Sequence, residues 1–290
     1  MTLPLVEAAA RPVRRRRWLR NPALLFGTII VGFVVIVAIF APLLAPHSPY
    51  EQLLSARLRP PVFMGGTWEH ILGTDHLGRD YLSRLIYGAR LSLLVGIGTV
   101  AISAVFGVTL GVIAGYYRGW IDLVVMFFLT VRLSLPLMLV ALAIVGLLGN
   151  SLGLVMLVLA SLLWDRFLVV ARATTLRLRD AEYIQAARSL GFPTRYIILR
   201  EVLPNILGPV IVVATFEMAH AILLEAALSF LGLGVRPPSA SWGLMIAEAK
   251  DFVFLDAWLV NIPGIAIFTL IAGITLVGAG LQKKLNTSVG

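Results

Sequence analysis

The sequence predicts an all-α, polytopic membrane protein with about six transmembrane helices. Of the 290 residues, 59% are hydrophobic and only 13% are charged, whereas a soluble domain carries roughly a quarter charged residues. The mean hydropathy is +0.93. Apolar runs of about 20 residues recur along the chain, and each is long enough to cross the hydrocarbon core of a bilayer as a helix. Lipid is therefore the expected solvent for most of the chain.

The first predicted element is a basic tail followed by a membrane helix. Six arginines precede the first apolar run, namely Arg11, Arg14, Arg15, Arg16, Arg17 and Arg20. Cytoplasmic flanks of membrane helices collect positive charge, so the net charge of +9 favours a topological signal over nucleic-acid binding. The apolar run exceeds the roughly 7 to 15 residues of a secretory signal. We expect a tail at 1–22 and an uncleaved helix at 23–44.

A polar segment at 45–90 follows and is expected to lie outside the cytoplasm. Asp80 can cap a helix whose apolar residues share one face while Arg84 turns away, as in a helix lying along a membrane interface. Such a helix could gate an outer mouth or serve as a passive anchor, and the sequence favours neither. The candidate gate residues are Asp75, Arg79, Asp80 and Arg84.

Five more helices are predicted in a core at 91–285. The second span lies near 91–115, the third ends near Leu148, the fourth ends near Ala171, the fifth covers 206–230 and the sixth covers about 259–281. A charged loop at 172–205 separates the fourth and fifth spans, and a short tail at 286–290 ends the chain.

Lysines and arginines divide unevenly between the connecting segments. With the amino terminus inside, fifteen lie in inner segments and seven in outer ones. Because positive charge marks the cytoplasmic side, both termini and the loop at 172–205 are expected in the cytoplasm.

The loop at 172–205 contains a predicted helix of about three turns. Asp180 is a plausible N-cap, Glu182 adds first-turn charge, and Gly191 is a normal helix stop. Ala186 and Ala187 are small enough for a partner backbone to approach closely. An ordinary amphipathic connector is the alternative interpretation.

The fifth span contains three ionisable residues, Glu217, His220 and Glu225. At about 100° per residue they fit within a 140° sector of the helix. A charge at the bilayer centre costs at least roughly 2.5 to 3.5 kcal/mol, so this sector should face protein or water. The three are candidates for a translocation path, although Glu217 and His220 could simply satisfy each other. Arg132 and Asp165 lie near predicted inner ends, where snorkelling is the simpler explanation.

Catalytic and cofactor motifs are missing from the sequence. None of the three lysines lies in the Gly-x-x-x-x-Gly-Lys-Ser/Thr context that holds phosphates. The four histidines are scattered, no Gly-x-Ser-x-Gly elbow occurs, and there is no cysteine. We therefore expect neither an enzyme nor a metal or cofactor site in this chain.

The cytoplasmic loop resembles the "EAA" loop of ABC importer permeases, the helix that docks on the ATPase subunit. Ala186-Ala187, then Gly191, then Leu203-Pro204 carry the resemblance, and Gln185 stands where the motif has Glu. The residues that the resemblance assigns to ATPase coupling are Glu182, Gln185, Ala186, Ala187, Arg188, Gly191, Leu203 and Pro204.

Two further segments resemble the permeases of dipeptide, oligopeptide and nickel importers. LGTDHLGRDYLSR at 72–84, with YGARLSL at 87–93, is similar to the stretch before their second helix. AALSFLGLG at 226–234, with Pro237-Pro238 and Trp242-Gly243, is similar to their outer loop after helix five. With the basic tail and first helix, the resemblance covers nearly the whole chain.

The resemblance implies a type I ABC importer permease fold and the C-type subunit of a permease pair. It implies an inner-membrane location and four kinds of partner: a second, homologous permease, two cytoplasmic ATPases that bind ATP and Mg²⁺, an extracytoplasmic binding protein and membrane lipid. Dipeptides or oligopeptides are the first expected substrates, with nickel chelates or glutathione-like molecules as alternatives. An ion-coupled secondary transporter, using Glu217 and His220 as proton carriers, or a bare membrane scaffold would be functions of another class.

Overall fold

The computed structural model describes residues 21–288, with side chains to residue 285. The basic tail and its six arginines lie outside the described residues. The twelve α-helices of the described chain are α1 (Pro22–Ile39), α2 (Ala41–Leu44), α3 (Tyr81–Tyr117), α4 (Gly119–Ser134), α5 (Leu137–Leu148), α6 (Leu152–Leu162), α7 (Asp165–Arg179), α8 (Glu182–Ser189), α9 (Thr194–Tyr196), α10 (Leu203–Phe230), α11 (Trp242–Ala249) and α12 (Trp258–Ser288). A π-helical stretch, Ile197–Val202, joins α9 to α10.

By length and apolar composition, four helical segments could each cross a membrane, or up to six if two bent pairs count as one span each. The single spans are α1, α3, the run from α9 through α10, and α12. This confirms the all-α, polytopic prediction and places the predicted third and fourth spans in the bent pairs.

The predicted third span is broken rather than straight. Helices α4 and α5 meet at 86°, because Leu135 is extended at φ −92° and ψ 131° before Pro136. Proline disfavours helical geometry in the residue before it, which ends α4 at this position. The fourth span is α6 and α7, bent by 43°, and α7 continues to Arg179 instead of ending near Ala171.

The predicted interfacial helix is not a separate element. Asp80 does cap a helix, since its carboxylate accepts a hydrogen bond from the Ser83 amide at 2.8 Å, but that helix is α3, which runs unbroken for 37 residues. No proline lies between the polar first turns and the apolar remainder, and Gly88 does not interrupt the helix. The prediction that Arg84 turns away is also wrong, because Arg84 is 1% exposed.

Helices α3 and α7 meet along a seam of glycines. Gly107, Gly111 and Gly115 are spaced four residues apart on α3, and a Cβ atom at Gly111 would lie only 2.5 Å from the carbonyl oxygen of Leu168. Small residues at this spacing let two membrane helices bring their backbones together. The seam fixes α7 against α3.

Helix α10 lies beside α3 and packs against α12, and together α3 and α10 contribute to three of the four apolar clusters of the described chain. One cluster joins them to α1, α11 and α12. A second joins them to α7 and to the buried Ile184 of α8. The acids of α10 and the N-terminal end of α3 are thereby held inside the bundle.

Candidate functional site

The predicted coupling helix is α8, and glycine ends it as the sequence indicates. Gly191 has φ +79°, a conformation that favours glycine. The Phe192 amide donates to the Ala187 carbonyl at 3.1 Å, and the Gly191 amide donates to the Arg188 carbonyl at 2.9 Å. This pair of bonds is the Schellman arrangement that closes helices at a left-handed residue. Nothing lies within 4 Å of a Cβ atom built at Gly191, so the requirement for glycine there is conformational and not steric.

Most of the predicted docking surface is open. Glu182, Gln185, Ala186 and Gly191 are exposed, whereas Ile184 is fully buried and attaches the helix to the bundle. Among the remaining coupling residues Pro204 is exposed, and Ala187, Arg188 and Leu203 are half-buried.

The predicted N-cap of α8 is wrong. The cap position is Ala181, without a side-chain hydrogen bond. Asp180 instead closes α7, and its carboxylate forms an exposed ion pair with Arg118 at 2.5 Å. The side-chain amide of Gln185 donates to the backbone carbonyl of Asp180 at 3.0 Å, so Gln185 has a partner within its own loop. At 8 residues, α8 is also shorter than the three turns expected.

Arg188 connects α8 to the C-terminal end of α3. Its guanidinium carbon lies 4.8 Å from the ring centroid of Tyr116, and that tyrosine is 6% exposed. Arg179 lies over the same ring at 6.0 Å. A guanidinium within about 6 Å of an aromatic ring is attracted by the ring quadrupole. Helix α8 is therefore attached to α3 by a cation–π contact and to the bundle by burial of Ile184.

At the other end of α3, three of the four candidate gate residues form a buried ionic cluster with Glu248 of α11. We call Asp75, Arg79, Arg84 and Glu248 the outer cluster. Arg79 lies 2.6 Å from Asp75 and 2.9 Å from Glu248. Arg84 lies 2.5 Å from Asp75 and 2.7 Å from Glu248. Because each arginine contacts both acids, the cluster ties the loop before α3, the first turns of α3 and α11 together.

The outer cluster shifts the titration of two groups. Burial alone would raise the pKa of Asp75, but Arg84 and Arg79, with the amides of Arg79 and Leu77, lower it below its usual 3.8. Burial lowers the pKa of His76, and Asp75 and Glu248 oppose that shift. Asp75 is consequently ionised in the folded protein at neutral pH, and His76 is neutral.

Asp80, the fourth candidate gate residue, belongs to a neighbouring polar group. Nδ1 of His70 lies 2.9 Å from its carboxylate, and Nδ1 of His47 lies 3.6 Å away. The histidines are scattered in the sequence, yet these two meet Asp80, and one ligand-capable atom of each of the three residues lies within 4.8 Å of the others. Hydrogen bonding to His70 and to the Ser83 amide gives Asp80 partners within the chain.

Glu217 and His220 line a cavity of about 550 Å³ between α4, α5, α7 and α10. The Glu217 side chain is fully buried, and Nη1 of Arg166 lies 2.8 Å from its Oε1 atom. His220 approaches the same carboxylate at 3.6 Å. Neither carboxylate oxygen accepts a well-aligned hydrogen bond from a described residue, so the charge of Glu217 is compensated mainly by Arg166.

Glu225 does not join this cavity, although the helical-wheel argument grouped it with Glu217. It lies two turns further along α10, where the hydroxyls of Ser229 and Ser241 donate to its Oε1 atom at 2.8 and 2.9 Å. Ser241 in turn caps α11 by accepting from the Leu244 amide. Glu225 therefore connects α10 to the start of α11.

Arg132 and Asp165 do not snorkel as predicted. Nη1 of Arg132 lies 2.9 Å from Asp165, their side chains are 16% and 13% exposed, and Arg132 also donates to the Leu162 carbonyl. The ion pair links the break between α4 and α5 to the break between α6 and α7.

Sequence reasoning missed two partners, Glu248 and Arg166. Both are separated by long stretches of chain from the acids and bases they contact, and periodicity within one helix carries no information on such pairs. The signal that could have found Arg166 was its position in a predicted span, because a charge there needs a partner.

The comparisons with known proteins agree with the resemblance. Residues 107–290 match the family described as "Binding-protein-dependent transport system inner membrane component", and residues 13–61 match the "N-terminal TM domain of oligopeptide transport permease C". The chain is 40% identical to the "Di/tripeptide transport system permease protein DppC" of Pseudomonas aeruginosa, covering 92% of this chain and 88% of that protein. It is also 40% identical to the "Dipeptide transport system permease protein DppC" of Escherichia coli, with 92% and 89% covered.

Among solved structures, a chain of the MetNI methionine ABC transporter in an inward-facing conformation is similar in fold. The TM-score is 0.58 at 15% identity, and the match covers 71% of this chain and 96% of that chain.

Proposed function

This chain belongs to the family of binding-protein-dependent transport system inner membrane components, and we propose that it forms half of the pore of an ATP-driven peptide importer. Its fold is that of an ABC importer permease. Dipeptides are the first proposed substrates, and short oligopeptides are the second. The single observation that supports this substrate class is the 40% identity, over nine-tenths of the chain, to permeases named for dipeptide and di/tripeptide transport.

The proposed partners are a second, homologous permease, two cytoplasmic ATPases and an extracytoplasmic binding protein. ATP and Mg²⁺ would be bound by the ATPases, because no lysine of this sequence has a phosphate-binding context. The chain itself would hold no cofactor and catalyse no reaction.

We place both termini and α8 in the cytoplasm on the basis of the fifteen-to-seven division of lysines and arginines. In this orientation α8 presents Ala186 and Gly191 to the ATPase. Movement of that subunit on ATP binding would be transmitted to the helix bundle through the contacts of Ile184 and Arg188. Activity of a periplasmic reporter fused after Gly290 would contradict the orientation.

Glu217 and His220 are proposed to belong to the substrate path, because both border the cavity that Arg166 also lines. The partly exposed His220 and Arg166 would meet the substrate there, whereas Glu217 is fully buried behind them. Glu225 is proposed to serve structure instead. The outer cluster, closed and buried as it is, favours the anchor interpretation over a gate that opens by breaking ion pairs.

Uptake of radiolabelled dialanine by the reconstituted transporter tests the function. We expect accumulation in proteoliposomes that contain both permeases, both ATPases and binding protein, and only with ATP present. Accumulation driven by a proton gradient without the ATPases would contradict the proposal and favour a secondary transporter.

Gly191→Asp tests the coupling helix. The substitution places a negative charge at a helix C-terminus, where the macrodipole is already negative, and in the proposed interface. An unpaired charge buried between subunits costs about 2 kcal/mol or more, so we expect co-purification of the ATPase and dialanine uptake to fall roughly 30-fold.

Gly191→Asn is the matched control, because asparagine has the same shape and tolerates positive φ without the charge. We expect it to retain most of the uptake at equal membrane abundance. Wild-type uptake and co-purification in Gly191→Asp would show that α8 is not the coupling element.

A further inference from the structure

The most unusual side chain in the spans is Arg166, in the first turn of α7. It belongs to a helix pair that could cross a membrane, yet 58% of its side chain is exposed. Charged side chains within membrane spans rarely face lipid, and they almost always face the bundle interior, a partner or a water-filled cavity. This face of the bundle is therefore covered by water or by protein in the working transporter.

Glu217 holds one edge of the Arg166 guanidinium. The acid is fully buried, so a ligand cannot reach it, and within residues 21–285 it is the only acid in ion-pair distance of Arg166. Contact through Nη1 leaves most of the five N–H donors of arginine free. A guanidinium presents these donors as a planar fork that matches the two oxygens of a carboxylate.

The rest of the cavity offers almost no competing charge. Arg132 and Asp165 neutralise each other at 2.9 Å, and His220 faces Glu217. The remaining lining residues are apolar: Leu129, Leu133, Leu137, Leu163, Val169, Val170 and Val213. With a volume of about 550 Å³, the cavity lies within the roughly 300 to 1,000 Å³ of small-molecule sites.

We infer that this cavity is a binding site for the C-terminal carboxylate of a peptide in transit. Arg166 contacts the carboxylate, and Glu217 is a positioning residue that fixes the guanidinium. The inference rests on the proposed function and names the chemical group that the pore recognises. All unmodified peptides share that group, while the apolar wall has no donors that would select among their side chains.

The absence of cysteine from the sequence allows a direct test. Val169 lines the cavity and is 47% exposed, so Val169→Cys places a single thiol in this chain. Labelling of that thiol by small charged thiosulfonates is measured in the assembled transporter without binding protein. The same complex without the introduced cysteine supplies the background from partner subunits.

Dialanine is the probe, and dialanine amide is its control without a carboxylate. We expect dialanine to slow labelling and the amide to have no effect. Losing a charged hydrogen-bond partner costs about 1.5 to 3 kcal/mol, so Arg166→Gln should raise the dialanine concentration needed for half protection by at least about tenfold. Arg57→Gln, at an exposed arginine outside the cavity, should leave it unchanged.

Removing Arg166 and removing Glu217 should have opposite effects on the ratio of anionic to cationic labelling rates. Arg166→Gln leaves the cavity with an excess negative charge and should lower the ratio of anionic to cationic labelling rates. Glu217→Gln leaves an excess positive charge and should raise that ratio. The double variant Arg166→Gln/Glu217→Gln should restore the ratio but not the protection by dialanine, and it avoids burying an unpaired acid if the single variant is unstable.

Three results would overturn the inference. The first is equal protection of the thiol by dialanine and by its amide. The second is full protection by dialanine in the double variant. The third is loss of the second permease from purified Arg166→Gln, which would make Arg166 a subunit contact. Dialanine uptake by the wild-type transporter separates this failure from failure of the proposed function. Uptake with no Arg166-dependent protection contradicts only the binding site.

Discussion

The outer cluster and the cavity beside α10 both pair arginine with a buried acid, but the arginines differ in exposure and in the number of acids that they contact. In the outer cluster, two arginines and two acids contact one another, and both arginines are nearly inaccessible. In the cavity, one arginine meets one acid, and the arginine is 58% exposed. A closed set of charges holds elements together, whereas a charge left partly open is available to a ligand. The following predictions test that distinction.

Arg84→Leu should have the largest effect on stability. Removing one partner from a buried ionic group leaves an uncompensated charge and costs about 3 to 5 kcal/mol. We expect a lower thermal midpoint of the purified complex and lower membrane abundance. The double variant Arg166→Gln/Glu217→Gln should cost less, because it removes both partners of the cavity pair and leaves no buried charge unpaired. An equal loss in both variants would contradict the distinction.

Ser241→Ala should have an intermediate effect. The hydroxyl caps α11 and donates to the buried Glu225, and leaving a buried polar group without its hydrogen-bond partner costs about 1 to 3 kcal/mol. Ser151→Ala is the matched control, since Ser151 caps α6 through the Leu154 amide but is exposed and forms no hydrogen bond with an acid of the described chain. Its cost should be only that of a cap, about 1 kcal/mol. Equal changes in thermal midpoint would show that Glu225 needs no hydroxyl partner.

The smallest expected effect is that of mild acid on the outer cluster. A carboxylate whose pKa is lowered on folding stabilises the fold above its unfolded pKa, and this contribution is lost as the pH falls through the folded pKa. Because the folded pKa of Asp75 lies below 3.8, the stability gap between wild type and Asp75→Asn should stay constant from pH 8 to about pH 5. Thermal midpoints across this range measure it. A gap that closes above pH 5 would show that Asp75 is not held ionised by Arg79 and Arg84.

The sequence predicted the spans and the C-terminal end of α8 well, because lipid exposure and helix ends leave local signals. Apolar length located the membrane segments, and Gly191 marked the end of α8. The bend at Pro136 was readable in principle, since the residue before proline avoids helical geometry. The glycine seam on α3 is also visible in the sequence as three glycines four residues apart, but it was not predicted.

Contacts between distant segments could not be predicted in this way. Glu217 and Glu225 have similar positions on a helical wheel, but the first meets Arg166 of α7 and the second meets Ser241 before α11. Arg84 was expected to turn away because its acidic partner Glu248 is distant in sequence. In both cases tertiary packing decided the environment of a side chain whose local pattern was ambiguous.

Helix α3 also has a mechanical consequence. Its 37 residues make a rod about 55 Å long at 1.5 Å per residue, with Arg84 of the outer cluster at one end and Tyr116 beside Arg188 at the other. The α7 backbone is wedged against this rod at Gly111, and two residues link α7 to α8. If α8 couples the ATPase as proposed, its movement would be transmitted through α7 and α3 to the outer cluster without crossing a break in α3.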